Sequence, residues 1–238
     1  MSYLKVRNLT KSFGPLKAID GIDLDLEKGK TIAIFGGNGA GKTTLVKIIS
    51  TLMRPSSGTV RIGDAEDGRS ADSVRRMIGF ISHSLFLYKD LNAVENLRYF
   101  GRLYGVQDLE DRISTLLEDF GLLPRMYDPV MTYSRGMLQR LALSRALIHN
   151  PVLLLLDEPF TGLDRSAAAT LTEYIGRHKS EGGATILVTH DLENGYSVAD
   201  ELAILTNGKL LWQKKSLDIP LEEFKKVYSD IVVNEGVK

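Results

Sequence analysis

The sequence predicts an α/β fold with a mainly parallel sheet, an antiparallel β subdomain near the N-terminus and an α-helical insert. Three observations carry this. Thr31-Ile32-Ala33-Ile34-Phe35, Val152-Leu153-Leu154-Leu155-Leu156 and Thr185-Ile186-Leu187-Val188-Thr189 are almost unbroken apolar runs, the pattern of parallel strands covered on both faces. Ile22, Leu24 and Leu26 alternate with Asp23, Asp25 and Glu27, a period of two that suits a half-exposed antiparallel strand. Between about 84 and 150 the apolar residues fall instead at helical spacing. The expected organisation is a core of residues 1–83 and 151–212, a helical subdomain over 84–150, and a C-terminal helix and tail over 213–238.

Taken in order, residues 3–35 are β-rich, and Lys28-Gly29 turns the chain into the first buried strand. Leu45, Val46, Ile48, Ile49, Leu52 and Met53 give the next segment a helical apolar face. Arg54-Pro55-Ser56-Ser57-Gly58 is a turn, Thr59 to Ile62 a short strand, Gly63 to Asp72 a polar surface loop, and Met77 to Ser82 another strand. Asn92 with Glu95 forms a capping box for a helix with Val94, Leu97 and Phe100 inward. Asp108 caps a second helix, which Gly121 stops, and a third runs from about Ser134 to His149 before Asn150-Pro151. Leu202 to Trp212 reads as a hairpin turning at Asn207-Gly208. Leu217, Leu221, Phe224 and Val227 have helical spacing, and the tail is expected to loosen from about Asn234.

Lys plus Arg equals Asp plus Glu, at 30 each, so the formal net charge is zero and no electrostatic grip on nucleic acid is indicated. Without cysteine there is neither a disulfide framework nor a thiolate metal site. The first residues lack the apolar stretch of a signal peptide. No run approaches the roughly 20 apolar residues that span a bilayer, so a soluble chain is expected, with any membrane role coming through a partner.

The chemistry concentrates between the first buried strand and its helix. Gly36-Gly37-Asn38-Gly39-Ala40-Gly41-Lys42-Thr43-Thr44 fits the phosphate-binding pattern G-x-x-x-x-G-K-[ST] in the strand–loop–helix setting that pattern requires. The fold class thereby narrows to a P-loop NTPase core. The glycines let backbone N–H groups close on an anion, and the helix start points its positive end at the same place. Lys42 adds a full charge for the β- and γ-phosphates, and Thr43 offers a hydroxyl oxygen to Mg²⁺.

Asp157-Glu158 ends one buried strand and His190 follows another, and ligands of parallel sheets collect at such strand ends. Asp157 can bind Mg²⁺ beside Thr43, directly or through water. Glu158 can orient or deprotonate an attacking water. His190 can contact a γ-phosphate or be a satisfied histidine at a strand end. Phe13 can stack on an adenine ring or serve as a core aromatic; beside these motifs, stacking is the reading kept. Ser134 can start the helix carrying Gln139, Arg140 and Leu141, either as an ordinary cap or as an anion site.

These residues resemble the ATP-binding subunits of ABC transporters over about residues 3–212. Phe13 matches the adenine-stacking position and Gly36 to Thr43 the Walker A loop. Tyr133-Ser134-Arg135-Gly136-Met137 stands where the signature usually reads Leu-Ser-Gly-Gly-Gln. Leu153 to Glu158 matches Walker B, Thr161-Gly162-Leu163-Asp164 the D-loop, and His190 the switch histidine. The resemblance implies an ATPase using ATP and Mg²⁺, in which two copies pair head to tail. Ser134 and Gly136 of each copy would reach the γ-phosphate held by the other. It also implies a transmembrane permease partner and a cytoplasmic place on the inner face of the cell membrane. Arg135 and Met137 depart from the signature, while Ser134 and Gly136, its main phosphate contacts, remain.

His83 stands where the family has a glutamine facing Mg²⁺ and the membrane partner. Imidazole is a poor ligand for Mg²⁺, so His83 is expected to act through water or through the membrane subunit. Gly79 to Val106, with His83, Leu87-Tyr88, Glu95-Asn96-Leu97 and Leu103-Tyr104-Gly105, looks like the ATP-binding subunit of the haem exporter of cytochrome c maturation. Phe86, Leu87, Tyr88 and the helix from Ala93 to Tyr104 are candidates either to receive a partner helix or to pack inside. The rival functions are a soluble ABC-type ATPase working on DNA or ribosomes, which would bring two cassettes or a long coiled coil, and a binding module without turnover. The latter would lack Lys42 or Glu158, and both are present.

Overall fold

The computed structural model describes residues 2–63, 71–82 and 85–236. Strands β1 (Ser2–Phe13), β2 (Leu16–Glu27) and β4 (Ser57–Ile62) form an antiparallel sheet in the order β2-β1-β4. The alternation expected around Ile22, Leu24 and Leu26 is borne out: all three are buried, while Asp23, Asp25 and Glu27 face out.

The second sheet combines β3 (Thr31–Phe35), β5 (Ile78–Ile81), β6 (Leu153–Asp157), β7 (Ala184–Thr189), β8 (Glu201–Thr206) and β9 (Lys209–Lys215). Its order is β5-β6-β7-β3-β8-β9, parallel except for the β8-β9 hairpin. Every residue of β3, β6 and β7 is buried because both faces are covered. Ile32, Ile34, Leu153, Leu155, Ile186 and Val188 face the antiparallel sheet and helix α1 (Lys42–Ile49). Phe35, Leu154, Leu156 and Leu187 face the remaining helices. The hairpin turns at Asn207-Gly208, both with positive φ (48° and 77°), the conformation Asn-Gly favours.

The insert holds α3 (Ala93–Tyr104), α4 (Leu109–Asp119) and α5 (Arg135–Leu147). Asn92 and Glu95 form the expected reciprocal capping box. Asp108 does not act as expected: it takes a left-handed conformation (φ 48°) and makes no side-chain cap. Buried Asn96 ties α3 to the loop preceding it in the chain by bonding the backbone N–H and carbonyl of Tyr88 (2.8 and 2.9 Å).

A short α2 (Ala71–Arg75) replaces the end of the expected loop. Helix α6 (Arg165–Ser180) follows β6, and α7 (Leu192–Val198) follows β7. The C-terminal α8 (Leu221–Gly236) runs past Asn234, where a loose tail was expected. Leu217 is not on it: this residue sits in a 3₁₀ turn and is 96% exposed, because Pro220 restarts the helix after it. Phe224 anchors α8, packing edge-on against Phe35 (4.9 Å between centroids) and beside Trp212.

Candidate functional site

The sheet order sets the carboxyl ends of β6, β7 and β3 side by side, with Phe35 paired to Thr189 and Asp157 to Val188. The Gly36–Thr44 loop, Asp157-Glu158 and His190 therefore leave the sheet at one edge, although they lie far apart in sequence. A cavity of about 330 Å³ opens there, lined by Gly37 to Thr44, Phe13, Leu16, Ala18, Asp157 and Glu158. Phe13 is 47% exposed with the Lys11 ammonium 5.2 Å from its ring centroid, so it is no core aromatic and keeps a face available for stacking.

The loop's shape depends on glycine. Gly41 precedes α1 with φ 106°, and a Cβ there would run into the Ala18 carbonyl oxygen. Lys42 is buried across the loop and donates to the carbonyls of Gly36 (2.7 Å) and Gly37 (3.1 Å). Its Nζ also lies 3.7 Å from Glu158 Oε1.

Glu158 is 9% exposed, has φ 53°, and is held by several donors. Its Oε2 accepts from the Thr189 hydroxyl (2.9 Å) and the His190 backbone N–H (3.3 Å), and His190 Nδ1 stands 2.9 Å away. Thr189 Oγ1 itself accepts from the Asp191 N–H at 3.0 Å, which directs its own proton at Glu158. Sequence reasoning passed over Thr189; the only signal was its position between a buried strand and His190.

Asp157 is 2% exposed and lines the same cavity as Thr43. Among the described residues no cluster of three or more His, Cys, Asp or Glu could hold a metal by itself. A site with one carboxylate and one hydroxyl fits Mg²⁺, which keeps waters and takes phosphate oxygens rather than an all-protein cage.

Ser134 and Gly136 do not line this cavity. Ser134 caps α5 by accepting from the Met137 N–H (3.3 Å) and is exposed, with Gly136 partly so. Arg135 and Gln139 instead reach a small cavity of about 80 Å³ beside Asp157 and Glu158. His83 lies outside the described residues.

A second cavity, of about 450 Å³, lies between the sheet and the insert. Phe86, Leu87, Tyr88 and Phe100 form much of its wall, with Arg145 and His149 on α5 and just past its end. Phe86 and Tyr88 are about half exposed, while Leu87 and Phe100 pack against the core, so the expected mixture of surface and interior roles is found.

A phosphate-cradling loop after a central parallel strand, with acidic residues ending the strand two places away in the same sheet, defines a P-loop nucleotide-binding protein. The family model described as ABC transporter matches residues 19–161, and the chain belongs to that family. It is 35% identical over 201 residues to the ABC transporter ATP-binding protein NatA of Bacillus subtilis (strain 168), covering 83% of this chain and 82% of that one. It is 36% identical over 212 residues to the lantibiotic transport ATP-binding protein SrtF of Streptococcus pyogenes, covering 89% and 90%. A solved ATP-binding subunit of an ABC transporter superposes with a TM-score of 0.89 at 29% identity, over 96% of this chain and 99% of that one. A dimeric ATP-binding cassette in a post-hydrolysis state, bound to ADP and Pi, superposes with a TM-score of 0.77 at 27% identity, over 90% and 98%. No described helix is long and apolar enough to cross a membrane.

Proposed function

We propose that this chain is the ATP-hydrolysing motor subunit of an ABC transporter, closing as a head-to-tail dimer around two ATP molecules to drive a separate membrane permease. The observation that carries the reading is the convergence of Lys42, Asp157 and Glu158 on the cavity rimmed by the glycine loop. Residues 1–83 and 151–212 form the ATP-binding core, 84–150 the helical subdomain with the signature, and 213–238 the C-terminal helix and tail.

Phe13 stacks on the adenine. The backbone of Gly36 to Thr44 and the start of α1 bind the phosphates, with Lys42 on the β- and γ-phosphates. Thr43 and Asp157 would hold Mg²⁺, which supplies charge neutralisation on phosphate oxygens when bound. Glu158 orients and deprotonates the attacking water, and His190 touches the γ-phosphate while bonded to Glu158. Ser134 and Gly136 serve the partner copy's nucleotide. Their exposure and their absence from the lining of their own chain's phosphate cavity support action in trans. The cavity between sheet and insert receives the permease, which holds this subunit on the cytoplasmic face of the membrane.

The finer reading, haem export, rests on the resemblance of Gly79 to Val106. The relatives include a lantibiotic transport ATP-binding protein and a daunorubicin resistance ATP-binding protein, so the cassette is shared among cargoes and the permease carries the choice. A DNA- or ribosome-acting ATPase is disfavoured by the balanced charge.

Steady-state ATP hydrolysis by Glu158→Gln against the native chain tests the proposal. The variant is expected to lose at least about a hundredfold in kcat, the scale of general-base catalysis. Equal rates would remove Glu158 from its role.

A further inference from the structure

The groove between sheet and insert contains a positive charge that the mechanism does not use. Arg145 donates from Nη2 to the Phe80 carbonyl oxygen at 2.9 Å, and its guanidinium lies 5.6 and 5.3 Å from the ring centroids of Phe86 and Phe100. Its Nε is buried without a hydrogen-bond partner among the described residues. No described residue lining the groove is acidic. Arg75, at the rim, already pairs with Asp72 at 2.8 Å. Burial above all, then Arg145 and Arg112 nearby, pushes the His149 imidazole down to about 4 against the pull of the Ile78 carbonyl, so His149 is neutral near pH 7. Desolvation lowers Arg145 itself to about 10, which leaves it charged.

Such a desolvated charge ordinarily keeps an anion, and among the described residues this guanidinium has one carbonyl and two aromatic faces but no carboxylate. We infer that the permease segment seated in this groove is apolar on its contacting face and brings one Asp or Glu carboxylate to Arg145. This rests on the docking reading above and adds the chemistry of the partner. The aromatic wall supplies apolar contact for such a segment, and the guanidinium fork supplies directional recognition of the carboxylate. A wrong partner bringing a lysine or arginine to the same place would meet like charge in a low-dielectric site.

The test is site-specific photo-crosslinking in cells from Tyr88→p-benzoylphenylalanine in the full chain, followed by sequencing of the captured peptide. The expected capture is a short segment of an integral membrane protein containing an acidic residue. Changing that residue to its amide, or Arg145→Gln, is expected to cut the crosslinking yield by at least about tenfold, as for loss of one member of a desolvated pair. Arg145→Glu combined with the partner's acid changed to Arg is expected to restore it, which separates pairing from a folding defect. A membrane segment that has no acid, or whose amide form crosslinks equally well, overturns the charge inference and leaves docking intact. Capture of only a soluble protein or of a second copy overturns both.

Discussion

Glu158 is the residue on which the proposed chemistry turns, and its carboxylate is not left to choose its own rotamer. Thr189 accepts one backbone N–H and gives its single proton to Oε2, which leaves Oε1 facing Lys42. A hydrogen bond to a charged group contributes about 1.5 kcal/mol or more, so Thr189→Val should lower kcat by about tenfold. KM for ATP should stay within about twofold, because Thr189 touches no phosphate-binding group. Thr189→Ser, which keeps the hydroxyl, should recover most of the rate. Failure of serine to rescue would mean that the methyl packing, not the proton, matters.

His149 makes a separate residue-scale prediction. Its folded value of about 4 lies below the ordinary 6.5, and His178 is lowered in the same direction, chiefly by burial. Between about pH 6.5 and 4 the unfolded chain therefore binds protons that the folded chain refuses. For His149, stability falls as pH falls through that window, by up to about 1.4 kcal/mol per pH unit, and His178 adds in the same direction. Urea midpoints measured from pH 7 to 5 should show the decline, and His149→Gln should make it shallower. A slope unchanged in the variant would place its origin elsewhere.

Among the elements, α8 has consequences that its place at the end of the chain conceals. Phe224 is fully buried and touches Phe35, the last residue of the strand that leads into the glycine loop. Tyr196 on α7, the helix following His190, lies 6.4 Å from the same ring. The C-terminal helix thus clamps the bases of both loops. Phe224→Ala should cost about 3–5 kcal/mol in chemical denaturation, the usual range for a buried aromatic cut to alanine. A cost under about 1 kcal/mol would show that α8 is ornamental to the fold. Helix α3 illustrates the opposite case, an element specified locally: its capping box, apolar face and left-handed Gly105 stop are each readable from adjacent residues.

At the scale of the whole molecule, an exposed Ser134 that does not line the phosphate cavity of its own chain is the feature that suggests a second copy. Glu158→Gln should accumulate as a dimer in saturating ATP, measured by size-exclusion chromatography with light scattering. Adding Ser134→Arg to it should abolish the dimer while the monomer's ATP affinity stays within about twofold, because the serine acts on the other copy's nucleotide. Affinity falling together with dimerisation would place Ser134 at its own chain's nucleotide and sink the head-to-tail arrangement.

The buried strands, the glycine loop, the paired acids and the cap at Ser134 were legible because each is written in a few neighbouring residues whose period or spacing has one physical meaning. Asp108 misled because the same residue type both caps helices and tolerates a left-handed backbone, and nothing local decides between them. Leu217 misled because helical spacing continues across a proline that breaks the helix. By itself the sequence determined the family, the fold class and the phosphate-binding chemistry. Only the tertiary structure decided that Thr189 holds Glu158, that Phe224 lies against Phe35, and that Arg145 meets the Phe80 carbonyl and two aromatic rings but no carboxylate among the described residues. Such pairings join residues from tens to nearly two hundred positions apart, and only the packing of β6, β7 and β3 with the helices around them brings them together.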